Sequence, residues 1–422
     1  MSTEDAMGAT AILARFVAKA EPREEDVAVL TRSLLNTRCA TVAGRRTPAG
    51  RVILATAEDL GDDGPALEAW RDAGTAAASA LDDVADYGAA GASVWPSLLA
   101  LAASAGSDDE QVIAAGGIGM RAASALWRAG SYQEAERGFA GSRVFGVIAS
   151  TAACARLLAL DETMASGALS VAASQAGGLL ANSGTTTDAL HAASAARDGL
   201  VAATLAAAGL SGAPDIFEGR QGFGEAFFGL GLSHLDALAS QLETTLGLES
   251  VLRSKLVPGH IDHQRPVRVL AAMLEGRDRA HVIRVLVNGI PPTSDGNRYH
   301  DPATAEQAAG SLRHALACVL ATGTVRFGDL DPSAAVASEW MDRVEVRSSS
   351  RWDPRLEDPW VDADTISVWF EDGVELVGIV GDASTRVSAA ELHTRWASVA
   401  QQLSEPERSM LIELARQLDN LD

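Results

Sequence analysis

The residues SGTTTDALHAASAARDGL, from Ser183 to Leu200, pair a Gly-Thr turn with the start of an Ala-rich helix. Such a turn gathers hydroxyls, here those of Thr185 and Thr186, and free backbone N–H groups at the positive end of a helix dipole, which is how small anions are held. The first charged residue on the turn is Asp188, which repels an anion. Asp188 therefore either pairs with a cation such as Arg197 or Arg143, or takes up a proton if it is desolvated. A second group, PGHIDHQRP, sets His260 and His263 around Asp262. That spacing suits a loop metal site, but no third ligand is indicated, so no metal is expected. P-loop, Rossmann, zinc-finger and Gly-x-Ser-x-Gly fingerprints are all missing from the sequence, and no cofactor is expected.

The elements that must position these groups are mostly helices. Up to about residue 248 the apolar residues recur at three- and four-residue steps. EPREEDVAVLTRSLLNTRCATVAG ends on Gly44. SDDEQVIAAGGIGMRAASALWRAG opens on a Ser107–Glu110 capping box and ends near Gly130. LDETMASGALSVAASQAGGLLANSG reads as one helix capped by Asp161. Glycines inside these helices mark close helix-to-helix contact.

From about residue 249 the pattern changes. RAHVIRVLVNG alternates like a strand, and a helix is expected from Thr304–Gln307 to about Thr322, with Gly323 after it. TISVWFEDGVELVGIVGD reads as two strands around an Asp372-Gly373 turn. Helices return with capping boxes at Ser388–Glu391 and Ser404–Glu407. The expected fold is mainly α. A large all-helical domain (1–248) is completed by C-terminal helices (388–422), and a smaller α+β lid domain (249–387) is inserted before them.

Composition narrows the partners. With 47% hydrophobic and 21% charged residues, the chain of 422 residues can bury two cores. A formal charge of −22 argues against nucleic acid or an anionic membrane surface as partner. Cys39, Cys154 and Cys318 lie far apart without metal-ligand spacing and read as buried free thiols of a reducing compartment. The first residues carry acids where a secretory signal carries bases, and no uncharged apolar run reaches the roughly 18 residues of a membrane span, so a cytoplasmic location is expected.

Several segments together resemble the MmgE/PrpD family, which includes 2-methylcitrate dehydratase, cis-aconitate decarboxylase and related epimerases. They are RGFAGSRVFGVIASTAACARLLALDETMASGALSVAASQAGGLL, the Gly-Thr turn with its helix and the following EGRQGF, Lys255-Leu-Val-Pro258, and HDPATAEQAAGSLRHALACVLATGTV. The resemblance implies a helical domain, an α+β lid, a homodimer, a small carboxylate substrate and a site between the two domains. The family chemistry moves a proton at carbon beside a carboxylate, which requires a base, an acid and cations. The resemblance assigns this work to two histidines, in Thr-His-Pro-Ser and Gly-Phe-His-Pro segments, and to two lysines.

Three of these four groups are missing. LDDVADYGAAGASVWP stands in place of the first loop, Gly138-Phe139-Ala140-Gly141 in place of the second, and Asp188 in place of one lysine. The first histidine of the chain is His191, and Lys19 and Lys255 are its two lysines. Turnover of 2-methylcitrate or cis-aconitate is therefore not expected.

By position in the family motifs, the candidate catalytic residues are Lys255, His314, Asp188 and Asp82. The candidate substrate contacts are Tyr87, Arg143, Thr185, Thr186, His191 and His260. Lys255 keeps its motif, with a solvated junction lysine as the alternative. His314 replaces a site tyrosine and serves either as acid or base, or as a locally bonded helix residue. Arg143 either clamps a carboxylate bidentately or forms a salt bridge. Two functions remain open. One is a lyase, isomerase or cyclase of specialised metabolism with a rebuilt site, and the other is a silent homologue that binds a metabolite or another subunit.

Overall fold

A computed structural model describes the chain except for residues 1–6, 62–63, 132, 230–234, 236, 245–246, 291–296, 333–336, 349–364, 383–385 and 422. Parts of the expected lid, and the acidic first residues, thus lie outside the described residues. The chain divides into two units. The first takes Met1–Asn182 and Thr187–Arg253, and the second takes Ser183–Thr186 and Ser254–Asn420.

The first unit is helical: α1 (Ala9–Lys19), α2 (Val27–Gly44), α3 (Pro48–Leu60), α4 (Pro65–Ala78), α5 (Ala90–Ala105), α6 (Asp109–Gly130), α7 (Gln133–Glu136), α8 (Gly141–Leu157), α9 (Glu162–Gln175), α10 (Ala189–Ala207), α11 (Leu238–Thr244) and α12 (Leu248–Val251). Its core runs through α5, α6, α8 and α10, lined largely by alanine with Trp95, Phe145, Leu126 and Ile148 fully buried. Small side chains let these helix axes approach closely. At Gly119 an added Cβ would stand 2.4 Å from the carbonyl oxygen of Ala149, so α6 and α8 touch backbone to backbone there. Gly119→Ala is expected to destabilise the unit by about 1–3 kcal/mol in denaturant unfolding, because overpacking outweighs alanine's better helix propensity. An unchanged or raised midpoint would refute this close contact.

Local signals held where they are self-contained. Asp161 caps α9 through Met164 N–H (2.9 Å). The capping box of α6, however, is Asp108 with Gln111, one residue beyond the expected Ser107–Glu110 pair. α9 also stops at Gln175, where Ala176 turns extended, rather than running into the glycines.

The second unit holds α13 (Gln264–Met273), β1 (Val282–Ile290), α14 (Ala305–Ala309), α15 (Leu312–Thr322), α16 (Ser338–Met341), β2 (Val344–Ser348), β3 (Thr365–Phe370), β4 (Glu375–Ile379), α17 (Ala389–Ala400) and α18 (Glu405–Arg416). Its sheet has the order β2-β1-β3-β4, with β1 parallel to β2 and the other pairs antiparallel. The β3–β4 hairpin turns at Gly373 (φ +82°), as the Asp-Gly pair predicts. The strand β2 is not among the expected elements, its five residues giving too short an alternation to stand out. The single helix expected over 304–322 breaks at Gly310, because Ser311 starts a new helix by accepting from His314 N–H (3.2 Å). The boxes at Ser388–Glu391 and Ser404–Glu407 both form. The C-terminal helices group with the second unit, which corrects the expectation that they complete the first. The Arg268–Glu391 pair (2.9 Å) and the Gly328 N–H bond to Gln402 (2.8 Å) tie them there.

All three cysteines are buried and outside any disulfide, and burial pushes the thiols of Cys154 and Cys318 up to about 12. Among the described residues no helix is long and apolar enough to cross a membrane.

Candidate active site

The first turn of α8 follows the Gly138-Phe139-Ala140-Gly141 segment. Gly138 turns the chain with φ +85°, and Ala140 N–H donates to the carbonyl of Gly178 (3.2 Å). Gly141 then begins the helix. A Cβ on it would lie 2.6 Å from the carbonyl oxygen of Tyr87 and 3.5 Å from Glu134 Oε1, so glycine lets the 82–88 loop and the short helix α7 close over the helix start.

Arg143 projects from this turn. Its Nη2 donates to Asp198 Oδ2 (2.5 Å) and to the carbonyl of Gln175 (2.7 Å), while its Nη1 is buried with no hydrogen-bond partner. Burial pulls its guanidinium below the usual range, against the opposing pull of Asp198. Asp198 also accepts from Arg197 Nε (2.7 Å). Both arginines thus pair with Asp198, which corrects the expectation that one of them pairs with Asp188. Asp188 instead faces His191, with Oδ1 3.2 Å from Nδ1, and its side chain is about half exposed. Gly178 separates the two groups closely. An added Cβ there would meet Arg143 Cβ at 2.8 Å and His191 Cδ2 at 3.1 Å.

Tyr87 is buried with its ring 6.3 Å from that of Phe145, and its hydroxyl has no hydrogen-bond partner. Burial, and then the charge of Asp86, hold its phenol far above the usual range, so it stays neutral. Asp82 is buried in the same loop, beside Asp83, which accepts from Asn36 Nδ2 (2.6 Å).

Glu134, on α7, was not singled out in the sequence. Its side chain is 2% exposed, Oε1 accepts from Trp127 Nε1 (3.1 Å), and Oε2 is buried without a partner. Burial pushes its carboxyl up to about 7, against its backbone hydrogen bonds and the Trp127 bond. In SYQEAERG nothing in the spacing separates Glu134 from the exposed Glu136. Asp198 lies seven residues after His191 on α10, but nothing in that spacing points to Arg143 as its partner.

The second unit holds the other expected residues. Thr185 and Thr186 are exposed in the 183–186 segment, where Tyr299 donates its hydroxyl to the carbonyl of Ser183 (2.6 Å). Lys255 is buried (7% exposed), not a solvated lysine, and its carbonyl accepts from Arg395 Nη1. Gln264 Oε1 accepts from the N–H groups of Leu256 (2.7 Å) and Val257 (3.0 Å), which fixes the loop around Lys255. His260 Nδ1 accepts from Asp262 N–H (3.3 Å). Among the described residues no group of three ligating side chains could hold a metal. His314 uses Nε2–H to donate to the carbonyl of Asp329 (2.7 Å).

The sequence profile of the MmgE/PrpD N-terminal domain matches residues 11–232, more than half of the chain. The chain belongs to the MmgE/PrpD family. The match covers Asp82, Tyr87, Glu134, Arg143, Thr185, Thr186, Asp188 and His191, while Lys255, His260 and His314 lie beyond it. Cis-aconitate decarboxylase of Homo sapiens is 37% identical over 97 residues, which is 23% of this chain and 20% of that protein. Cis-aconitate decarboxylase of Mus musculus is 36% identical over 99 residues, 24% and 20% of the two chains. The chain thus spans about a fifth of the length of these curated relatives.

Proposed function

We propose that this MmgE/PrpD-family chain is a cofactor-independent enzyme of the lyase, isomerase or cyclase class. Its substrate is a small or specialised-metabolite carboxylate, and it works as a cytoplasmic homodimer. The observation that carries the reading is a set of open valences around the first turn of α8: Arg143 Nη1, Gln175 Oε1, Tyr87 OH and Glu134 Oε2, each buried and without a hydrogen-bond partner. Buried polar groups are normally satisfied, and unmet donors and acceptors on residues packed around one helix start favour a ligand that meets them. Arg143 Nη1 offers a charged hydrogen bond to a carboxylate in a low-dielectric setting, where it is strongest. The roles proposed for Lys255, His260, His314, Asp82, Asp188, Thr185, Thr186 and His191 rest on the family resemblance.

The human and mouse relatives are cis-aconitate decarboxylases, yet this chain has no histidine before residue 191. We therefore expect the purified protein to leave cis-aconitate and 2-methylcitrate unchanged in a product assay. Turnover of either would refute the rebuilt site. A calorimetric panel of small mono-, di- and tricarboxylates is expected to yield a binder. Arg143→Met should weaken it about ten-fold or more, as expected for a lost charged hydrogen bond.

A second reading, a silent homologue that binds a metabolite or another subunit, is favoured by two bonds. Arg143 Nη2 is engaged by Asp198, and His314 Nε2 by a backbone carbonyl. If no carboxylate binds, or Arg143→Met binds as the parent does, that reading replaces the first.

A further inference from the structure

We infer that Glu134 is the proton-transfer group of the site at the first turn of α8, a role that rests on the enzyme reading above. The carboxyl is placed for it. One oxygen is anchored by Trp127 Nε1–H (3.1 Å), which fixes the plane of the group. The other oxygen is buried with no partner, so a lone pair remains for a substrate proton. Oε1 lies 3.5 Å from where a Cβ of Gly141 would stand, so the carboxyl sits against the opening residue of a helix of 17 residues. Beside it, the carbonyl of Tyr87 meets the same point at 2.6 Å, and the neutral Tyr87 hydroxyl is a second group without a partner.

The chemistry follows from these groups. As carboxylate, Glu134 removes a proton from carbon beside a substrate carboxylate. The C–H electron pair stays on the substrate as an enolate, and Glu134 becomes the neutral acid. The acid then returns the proton to a substrate carbon, so atoms and charge balance without a co-reactant. The neutral Tyr87 phenol, a donor without a partner, is the group left to stabilise the enolate oxygen.

An acid and base are most effective when they titrate near the working pH, and burial brings Glu134 to about 7. The charged and titratable groups around it do not reverse this. Glu136 on its own helix raises it further, and Asp86 on the Tyr87 loop is paired with Arg128 (3.0 Å). Glu225, on the 224–228 segment packed against α7, is exposed and accepts from Gln221 N–H (2.7 Å).

Labelling of the full native chain with dicyclohexylcarbodiimide tests the assignment. The reagent adds to protonated carboxyls that it can reach, and peptide mass spectrometry locates the adduct. We expect an adduct on Glu134 that falls about ten-fold or more between pH 6 and 8.5, with a midpoint near 7, and none at that position in Glu134→Gln. No adduct on Glu134 in the native chain, with full labelling after denaturation, would show an acid sealed in the core and overturn the proposal. Labelling that does not vary across this range would overturn it equally. Neither outcome depends on carboxylate binding at Arg143, so this role and the enzyme reading can fail separately.

Discussion

Arg121→Met should cost the first unit about 3–5 kcal/mol of stability, because it strands a buried carboxylate. Arg121 on α6 pairs through Nη2 with Asp26 Oδ2, and both side chains are almost fully buried (6% and 3% exposed). Burial pulls the guanidinium below its usual range, and Asp26 opposes that pull. The other oxygen of Asp26 accepts from Leu248 N–H (2.8 Å), so one carboxylate clasps the approach to α2, the middle of α6 and the start of α12. Removing the cation leaves Asp26 charged in a low-dielectric setting, with one neutral donor. In Arg121→Met/Asp26→Asn the amide oxygen still accepts from Leu248 and no charge is left. That double variant should recover most of the loss in denaturant unfolding. A single variant within about 1 kcal/mol of the parent, the range of exposed ion pairs, would mean the pair is solvated.

Glu134→Gln should change how stability depends on pH. Glu134 titrates at about 7 in the folded chain against 4.5 for an ordinary glutamate. Between these values the unfolded chain has lost the proton and the folded chain still holds it. Raising the pH therefore favours unfolding, and the contribution present below 4.5 is lost by about pH 7 to 8. A rise from 4.5 to 7 corresponds to roughly 3 kcal/mol. Gln has no proton to lose and keeps an oxygen for Trp127 Nε1–H. The stability difference between variant and parent should thus shift by about 3 kcal/mol in favour of the variant between pH 4.5 and 8. Parallel curves for the two chains would show that Glu134 is not desolvated, and would also remove the support that its titration lends to proton transfer.

Much of the fold was legible in the sequence because its signals are local. A capping box such as Ser388–Glu391 closes within four residues, and the Asp372-Gly373 turn needs only a residue that tolerates positive φ. Glycine in α6 pointed to a close neighbour, and Ala149 is that neighbour. Family membership followed from motifs spread over the chain, and the profile match agrees.

The site was less legible because its decisive contacts are distant in sequence. In sequence Arg143 fits either a carboxylate clamp or a salt bridge, and only packing of α8 on α10 shows that it makes the salt bridge with Nη2 and leaves Nη1 open. Its partner is 55 residues away, and no local pattern names Asp198 over Asp188. Burial is likewise a tertiary property. Glu134 and Glu136 share a four-residue helix, yet one is enclosed by Trp127 and the Tyr87 loop while the other is exposed. Lys255 keeps its family motif in sequence, with a solvated lysine as the alternative, and only the structure shows that it is buried. By itself, then, the sequence determined the helices, the hairpin, the family and the absence of its histidines, each encoded in residue type over a few positions. The tertiary structure alone decided which charges are desolvated and which hydrogen-bonding atoms stay open, since both depend on what packs against a side chain from elsewhere in the chain.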